Sequence, residues 1–336
     1  QQHRSNAYKK AASALENLQT EINDPEDLNG IQNIGTGIKQ KLIEYMETGK
    51  IAYLEEIKNT PKIIFTNIYG IGPKKADELE KSGIKSINEL IHASSNDATL
   101  LNDKQKIGLK YYNDIMERIP RAEIAQFDKI LKEQVTPDTH LKYEIVGSYR
   151  RGAETSGDID VIFTSTNSQS NQERLFKNII AKLTASGHIK HILAQGKTKC
   201  LIIGHVPSSK YHRRIDFLFT TPEQYPFAVL YFTGSKHFNT AMRALALKNG
   251  LSLNEHSFTI AKTGAQLTET IDPAATFKTE KDIFDYLNME YKTPEERIDD
   301  KSVVVKKQQN TQQNTQQNTQ QNTQQNTQQN TQQNTQ

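Results

Sequence analysis

Two aspartates separated by a single residue, Asp158 and Asp160, are the residues of this chain best suited to chemistry. Side chains at i and i+2 of a strand point to the same face, so both carboxylates can converge on one point. Carboxylates that close repel each other unless a divalent cation lies between them. Gly147 and Ser148, just upstream, offer backbone N–H groups and a hydroxyl that suit a phosphate. A site that binds a metal ion and a phosphate at one edge of a sheet indicates nucleotidyl transfer.

A two-metal site needs a third carboxylate, and the candidate is Asp216. The apolar residues Ile215, Phe217 and Phe219 alternate around it, which is typical of a half-buried strand. Neighbouring strands lie about 4.8 Å apart, so an adjacent strand can bring Asp216 to the first pair. An isolated D-x-D would more simply be a turn or surface feature, but the upstream Gly-Ser and the downstream aspartate favour a metal site.

Composition limits what can surround these residues. The 336 residues allow two or three domains, and the formal net charge of +3 does not by itself indicate a nucleic-acid binder. The single cysteine, Cys200, rules out an internal disulfide, fits a reducing compartment and is predicted to lie in the core. We expect a soluble chain without membrane span or signal peptide. Because it starts at Gln1 without methionine, we expect the start to be incomplete or processed.

The C-terminal segment is a Gln-Gln-Asn-Thr repeat from residue 308 to residue 336. It contains no apolar residue, so it cannot contribute to a core. We therefore predict a disordered tail over residues 301–336. A tract that aggregates as β-structure or binds a partner is the alternative.

The N-terminal third, residues 5–119, is predicted to be helical with short glycine-bearing breaks. Two similar segments, 31–42 and 68–79, each place an apolar-Gly turn directly before a helix. A helix N-terminus presents N–H groups and a positive dipole to a phosphate. One such turn would be ordinary, but two copies favour the helix-hairpin-helix pattern, which grips DNA backbone without reading sequence. The predicted DNA contacts in the second copy are Gly70, Gly72, Lys74 and Lys75.

Lys41 in the first copy has a second possible role. A lysine can attack the aldehyde of an abasic sugar and form a Schiff base. From its residue type alone, Lys41 would be a phosphate contact or a solvated helix residue.

The chain resembles the X family of DNA polymerases, of the beta type, over residues 3–298. The matching motifs are N-A-Y-K-K-A-A-S at 6–13, G-I-G-P at 70–73, I-G-L-K-Y-Y at 107–112, R-I-P-R at 118–121, G-S-Y-R-R-G-A-E-T-S-G-D-I-D-V at 147–161, H-R-R-I-D at 212–216, L-Y-F-T-G-S at 230–235, F-N-x-x-M-R-A at 238–244 and E-K-D-I-F-D-Y at 280–286.

The resemblance implies an α+β multidomain fold. It has all-α helix-hairpin-helix lyase and fingers domains, a nucleotidyltransferase palm with a mixed β-sheet, and an α/β thumb. The expected boundaries are 1–52 for the lyase domain, 53–113 for the fingers, 114–225 for the palm and 226–300 for the thumb. The first lyase helix is expected to be missing before Gln1.

Roles of the palm and thumb residues follow from the same resemblance. Asp158, Asp160 and Asp216 would bind two Mg²⁺, which Mn²⁺ could replace, and Asp216 would receive the proton of the primer 3′-OH. The residues expected at the incoming nucleotide are Arg121, Ser148, Arg151, Gly157, Tyr231, Phe232, Gly234 and Asn239. Further DNA contacts are expected at Thr198, Lys199, Arg214 and Arg243. Glu255 would help the closing helix move, and Arg214 would pair with Asp160 or Asp216 as it closes.

For the lyase domain the resemblance implies that Lys41 is the Schiff-base nucleophile. The residues expected to bind the 5′-phosphate are His3, Arg4, Tyr8 and Lys50. The backbone carbonyls expected to bind Na⁺ or K⁺ are those of Thr66, Ile68 and Ile71, and of Ile31 and Ile34 in the first hairpin.

The chain departs from the family pattern at several positions. Gly37 and Tyr53 stand where the family has lysines, which makes the lyase less secure than the polymerase. Lys236 replaces an acidic residue near the nucleotide, Thr240 a lysine near the template, and His256 a tyrosine. These changes could alter fidelity or nucleotide preference.

The expected function is template-directed filling of short gaps in base excision repair, with removal of the 5′-deoxyribose phosphate. Its partners would be gapped or nicked duplex DNA and dNTPs. We expect a monomer in the nucleus, or also in the cytoplasm or an organelle, with repair scaffold or ligase partners by family resemblance alone. The alternatives are a template-independent terminal transferase, a polymerase without lyase activity, and a DNA-binding protein with a decayed site.

Overall fold

The computed structural model describes most of the chain. The described residues are 2–16, 18, 20–135, 140–166, 171–207, 209–267, 272 and 275–306. Within the predicted tail, residues 301–306 are ordered, because Lys301 and Ser302 lie in a 3-10 turn and Val305 bridges to Met289, so the predicted disorder is wrong for them. Residues 307–336 lie outside the described part.

The N-terminal region is helical, as predicted. Its elements are α1 (Gln2–Glu16), a 3-10 turn (Pro25–Leu28), α2 (Thr36–Thr48), α3 (Ala52–Lys58), α4 (Pro61–Thr66), α5 (Pro73–Lys81), α6 (Ile87–Asn96), α7 (Asp103–Lys110) and α8 (Tyr112–Met116). Gly35 is the N-cap of α2 and Gly72 that of α5, where Pro73 occupies the first helical turn. The two predicted glycine turns before helices are therefore confirmed.

The fingers have a small apolar core of their own, which includes Phe65, Ile68 and Leu90, all at most 1% exposed. The side chains of Ser86 and Asn102 accept hydrogen bonds from the first turns of α6 and α7 and so fix where these helices begin. Ile68 and Ile71 of the second glycine turn belong to this core, which anchors the turn in the fingers.

The palm is a five-stranded sheet covered by two helices. Its elements are β1 (Ile119–Pro120), α9 (Arg121–Val135), β2 (Leu141–Ile145), α10 (Gly147–Arg150), β3 (Thr155–Ser156), β4 (Ile159–Ser165), α11 (Gln172–Ala185), β5 (Ile189–Gln195), β6 (Lys199–His205) and β7 (His212–Thr220). The strand order is β2-β4-β7-β6-β5, while β1 and β3 form a separate pair. Strands β4 and β7 run parallel, and the other pairs of this sheet are antiparallel.

The core of the palm confirms the predicted apolar alternation. Ile215, Phe217 and Phe219 are all at most 2% exposed and pack with residues of α9 and α11, such as Phe127. Cys200 is fully buried in the same core, as predicted. Because alternate side chains of a strand point to opposite faces, this packing directs Asp216 away from the core helices.

The thumb is mostly helical. It contains α12 (Tyr225–Thr233), α13 (Lys236–Lys248), the hairpin of β8 (Leu251–Leu253) and β9 (Phe258–Ile260), α14 (Glu280–Tyr286), and 3-10 turns at Pro294–Glu296 and Asp300–Ser302. Helix α12 is apolar on several sides because it packs on both the thumb core, through Phe227 and Leu230, and the palm, through Ala228 and Val229. No helix in the described part of the chain is long and apolar enough to cross a bilayer.

Candidate active site

The three predicted aspartates lie together at one end of the parallel strand pair. Asp160 in β4 and Asp216 in β7 are direct register partners, and Asp158 immediately precedes β4. Each carboxylate offers an oxygen within 4.8 Å of the others. The juxtaposition depends on β4 and β7 being adjacent, parallel and in this register.

The loop before β4 approaches this cluster closely. Gly147 has a φ of +66°, and a Cβ built on it would lie 2.7 Å from Asp160 Oδ2. Any larger residue would therefore displace the carboxylate. The backbone N–H of Val146 donates to the Asp160 carbonyl at 2.9 Å, which ties the loop to the strand.

Arg214 is the cation in contact with the cluster. Its Nη2 donates to Asp158 Oδ2, and its Nε lies 3.7 Å from Asp216 Oδ1. The resemblance implied Asp160 or Asp216 as its partner on closure; here Arg214 contacts Asp158, in the bend before β4, and also forms a longer ion pair with Asp216. One oxygen of Asp216 and Nε of Arg214 are buried without a hydrogen bond.

Burial and mutual repulsion perturb the acids. Burial, followed by the charge of Asp216, raises the pKa of Asp160 to about 6, against the opposing effects of Lys199 and Arg151. Burial likewise raises the pKa of Asp216, although Arg214 and Lys199 act in the opposite direction. The exposed Lys199 at the start of β6 is therefore an electrostatic neighbour of the site.

This donor set fits a divalent cation. A buried carboxylate oxygen without a hydrogen bond and two acids with raised pKa values mark a site with too little positive charge for its carboxylates. Hard cations such as Mg²⁺ prefer carboxylate oxygens. Asp158, Asp160 and Asp216 would hold such ions.

The residues expected at a triphosphate surround the loop between α10 and β4. Ser148 Oγ donates to Ser156 Oγ at 2.8 Å, and Arg151 Nη1 donates to the Thr233 carbonyl at 2.5 Å. Arg121 stacks on the Tyr149 ring, 4.2 Å from its centre, and donates to the Tyr149 carbonyl at 2.6 Å. Ser148 thus contacts β3, and Arg151 contacts the end of α12.

Arg118 is a candidate that the sequence reasoning missed. It donates to the Thr155 carbonyl at 2.6 Å, and its Nη1 lies 3.4 Å from a Cβ built on Gly157. It therefore flanks the residue directly before Asp158. The R-I-P-R motif contains both Arg118 and Arg121, so the sequence offered both arginines as candidates for this site. Only the pairing of β1 with β3 shows that Arg118 is the one near Gly157.

The segment between α12 and α13 lies beside this loop. Tyr231 and Phe232 are half-buried, with ring centres 5.1 Å apart, and Asn239 Nδ2 donates to the Tyr231 carbonyl at 2.6 Å. A Cβ built on Gly234 would lie 3.3 Å from Arg151 Nη1. Arg243 is exposed one turn beyond Asn239.

The second hairpin shares a cleft with the catalytic strand. A cavity of about 500 Å³ is lined by residues 66–72 together with Ile115 and Arg214. The Ile68 carbonyl accepts from the Ile71 N–H at 3.0 Å, and in the first hairpin the Ile31 carbonyl accepts from the Ile34 N–H at 3.2 Å. The two hairpins thus make the same turn. Lys74 is exposed and Lys75 half-buried on α5 beyond it.

The residues expected to act in the lyase lie on α1, on α2 and just after the end of α2. Lys41 is half-buried on α2, with its Nζ 5.3 Å from the centre of the Tyr53 ring. His3, Arg4 and Tyr8 are exposed on α1, and Lys50 is exposed just after α2. A Cβ built on Gly37 would meet no atom within 4 Å. The lysine that the family has at this position would therefore fit here without a clash.

Four family models match consecutive parts of the chain. They are a helix-hairpin-helix domain at 1–51, the fingers domain of DNA polymerase lambda at 63–116, a DNA polymerase beta palm at 118–222 and a DNA polymerase beta thumb at 228–298. The expected fold is confirmed. The beta type is matched in palm and thumb, whereas the fingers match lambda.

Individual relatives named as polymerases agree with these family matches. The chain is 31% identical to DNA polymerase lambda of Rattus norvegicus, over 88% of this chain and 52% of the relative, and 30% identical to DNA polymerase lambda of Arabidopsis thaliana, over 88% and 58%. It is 27% identical to the DNA polymerase/3'-5' exonuclease PolX of Bacillus subtilis, over 87% and 50%. The chain spans about half the length of these curated relatives.

Proposed function

The chain belongs to the X family of DNA polymerases, and we propose that it is a template-directed polymerase of the beta type that fills short gaps in DNA. The observation that carries the proposal is the convergence of Asp158, Asp160 and Asp216 within 4.8 Å beside a loop of phosphate-binding type. The relatives named as DNA polymerases support it.

The carboxylates organise the chemistry. When bound, two Mg²⁺ or Mn²⁺ ions supply Lewis acidity at the primer 3′-OH and at the triphosphate. We assign Asp158 and Asp160 to both ions and Asp216 to the catalytic one. Asp216 also accepts the proton of the primer hydroxyl. The 3′ oxygen then bonds to the α-phosphorus, the bond to the bridging oxygen breaks, and pyrophosphate leaves.

The nucleotide is held by the loop between α10 and β4. Arginine suits this task because its planar fork meets phosphate oxygens and stays charged. The assigned triphosphate contacts are Ser148, Arg151, Gly157, Arg121 and Arg118. Tyr231, Phe232 and Gly234 form the wall that excludes a ribose 2′-OH, and Asn239 meets the base.

DNA is gripped on both sides of the active site. We assign Arg243, Arg214, Thr198 and Lys199 to the primer–template. The two hairpins take phosphates at their helix N-termini, with Na⁺ or K⁺ at the carbonyls of Thr66, Ile68 and Ile71 and of Ile31 and Ile34. These contacts read backbone and not sequence, which suits a gap in any context.

We further propose a 5′-deoxyribose-phosphate lyase activity and a role in base excision repair in the nucleus. Lys41 would attack C1′ of the abasic sugar and form the Schiff base with loss of water. Removal of a C2′ proton would then break the C3′–O bond and release the 5′-phosphorylated strand, and water would hydrolyse the Schiff base to free the sugar phosphate and Lys41. His3, Arg4, Tyr8 and Lys50 would bind the 5′-phosphate. A monomer with scaffold or ligase partners completes the proposal.

The test uses a one-nucleotide gapped duplex with a 5′-deoxyribose phosphate, Mg²⁺ and each dNTP in turn, followed by borohydride trapping. We expect insertion of the templated nucleotide alone, lost in Asp216→Ala with DNA affinity retained and kept in the control Glu290→Ala. A trapped adduct that disappears in Lys41→Ala would support the lyase. Untemplated insertion would indicate a terminal transferase, and insertion by Asp216→Ala would refute the catalytic assignment.

A further inference from the structure

Two histidines lie opposite each other on the neighbouring strands β6 and β7. His205 ends β6 and His212 begins β7, and the two are direct partners in the antiparallel register. Residues paired in this way have Cβ atoms about 4.5–5.5 Å apart and point to the same face of the sheet. The ring centres of the two histidines are 5.4 Å apart. Neither residue belongs to the proposed polymerase or lyase site.

One nitrogen of His212 is fixed by a carboxylate. Its Nδ1 lies 2.8 Å from Oδ2 of Asp114 on α8, and the same oxygen accepts from the His212 backbone N–H at 2.9 Å. Because an ionised carboxylate only accepts hydrogen bonds, the proton of the neutral ring stays on Nδ1 and Nε2 keeps its lone pair. This carboxylate–histidine arrangement is the one that orients histidine ligands of metal ions in proteins.

The ring of His205 also offers a lone pair. Its Nδ1 is buried and has no hydrogen-bond partner in the described part of the chain. Burial lowers the pKa of His205, and the nearby charges of His212, Lys190 and His188 add to this effect. Glu123 acts in the opposite direction. The ring is therefore neutral at pH 7, which is the form of histidine that binds a metal ion.

The separation of the two rings fits a shared ion. Zinc binds imidazole nitrogens at about 2.0–2.1 Å in tetrahedral geometry, which places the centres of two ligating rings about 5 Å apart. The observed ring centres are 5.4 Å apart, and the ring planes are inclined by 40°, so the rings do not stack in parallel. Imidazole ligands favour zinc and related transition metals, whereas Mg²⁺ prefers oxygen ligands.

We propose that His205 and His212 form a binding site for Zn²⁺, with Asp114 as the carboxylate that positions His212. Water would complete the tetrahedral coordination. Asp114 lies on α8, within the fingers, and His212 begins the strand that carries Asp216. An ion on Nε2 makes the Nδ1–H of His212 a stronger donor to Asp114, so it would tighten the contact between the fingers and this strand. The site does not depend on the proposed polymerase function.

The test measures Zn²⁺ binding by competition with a chromophoric chelator, in excess Mg²⁺. We expect one Zn²⁺ per wild-type chain, a Kd raised by more than about tenfold in His205→Gln and in His212→Gln, and a Kd raised about tenfold in Asp114→Asn. The control is His191→Gln, since the His191 ring lies 5.3 Å from the neighbouring Tyr111 ring but outside the pair. It should leave Kd unchanged. An unchanged Kd in either variant of the pair would overturn the inference.

A readout on the wild type guards against variants that fail to fold. Zn²⁺ should shift the imidazole NMR signals of His205 and His212 more than those of any other histidine, and shifts confined to other histidines would refute the site. Asp216→Ala separates this site from the aspartates. It should bind Zn²⁺ with the wild-type Kd, and loss of Zn²⁺ binding in this variant would place the ion at the aspartates and overturn the inference.

Discussion

At the scale of single residues, burial raises the pKa values of Asp160 and Asp216 in the absence of a divalent cation, and the charge of Asp216 adds to the effect on Asp160. Asp160 has a pKa near 6 because it is buried and faces Asp216, whereas an aspartate in an unfolded chain ionises near 4. The folded state therefore keeps its proton to a higher pH than the unfolded state. By linkage, this group lowers the free energy of unfolding as pH rises from about 4 to about 6, and the full loss persists above that range.

The first prediction concerns Asp160→Asn. Without divalent metal, we expect the variant to melt a few degrees above the wild type at pH 7.5, where the wild type must hold an ionised buried acid, and at nearly the same temperature at pH 4. Added Mg²⁺ should raise the Tm of the wild type more than that of the variant. Thermal melts at the two pH values check this, and a lower Tm of the variant at pH 7.5 would contradict it.

The second prediction concerns Tyr53, which is 49% exposed and stands beside Lys41. If Lys50, His3 and Arg4 bind a 5′-phosphate, a cation in place of Tyr53 should strengthen that binding. We expect Tyr53→Lys to increase about threefold the preference for gapped DNA with a 5′-phosphate over DNA with a 5′-hydroxyl. Fluorescence anisotropy with both duplexes measures this ratio.

The control for Tyr53→Lys is Leu247→Lys, which adds the same charge at a 61% exposed position on α13. It should strengthen binding of both duplexes equally or of neither. An equal gain for both duplexes in Tyr53→Lys would mean that residue 53 does not meet the 5′-phosphate.

At the scale of elements, α10 and α14 are joined by a buried ion-pair network. Glu280 on α14 is 8% exposed and accepts from Arg150 at 3.0 and 2.7 Å and from Arg297 at 2.6 Å. Burial alone would raise the pKa of Glu280, but the two arginines lower it below its usual value. Arg150 directly precedes Arg151, so this network ties the nucleotide loop of the palm to the thumb.

The third prediction is that Glu280→Ala destabilises the protein by about 3–5 kcal/mol, because it leaves the buried Arg297 guanidinium without a carboxylate and removes one of the two acids that pair with Arg150. Urea unfolding, monitored with a spectroscopic probe in the thumb, measures the change in the free energy of unfolding. Glu290→Ala is the control, since Glu290 is half-exposed and its pair with Lys292 is long, at 3.5 Å. It should cost less than about 1 kcal/mol, and similar effects of the two variants would refute the role of the network.

At the scale of the whole molecule, the N-terminal region and the thumb are in contact. Lys301 Nζ, in the last 3-10 turn of the thumb, donates to the Leu18 carbonyl at 3.4 Å. The chain has 42 basic and 39 acidic residues, so DNA binding must come from where the charges lie and not from their sum. Two such charges are the exposed Lys74 of the second hairpin and Arg214 in the cleft beside that hairpin.

The fourth prediction concerns DNA binding by the second hairpin. Changing Lys74 and Lys75 to alanine should weaken binding of gapped DNA of any sequence. It should also reduce the slope of log K against log salt by about 2, because each phosphate contact releases counterions. Lys81→Ala is the control, since Lys81 lies at the far end of α5 and pairs with Asp77 at 2.8 Å. A slope unchanged in the double variant would exclude the second hairpin from the interface.

Much of this organisation follows from local sequence patterns. The i, i+2 spacing of Asp158 and Asp160, the alternation around Asp216 and the glycine turns before α2 and α5 are properties of a few neighbouring residues. Such patterns determine secondary structure and the face on which a side chain lies. The sequence by itself therefore determined the candidate metal ligands, the two hairpins and the burial of Cys200.

The tertiary structure decided which of these residues meet. The register of β4 against β7 pairs Asp160 with Asp216. The bend before β4 places Asp158 in contact with Arg214. The pairing of β1 with β3 brings Arg118 close to Gly157. Glu280 reaches Arg150 across 130 residues. These contacts depend on strand order and domain packing, which are set by the burial of whole apolar surfaces and not by the period of any one segment.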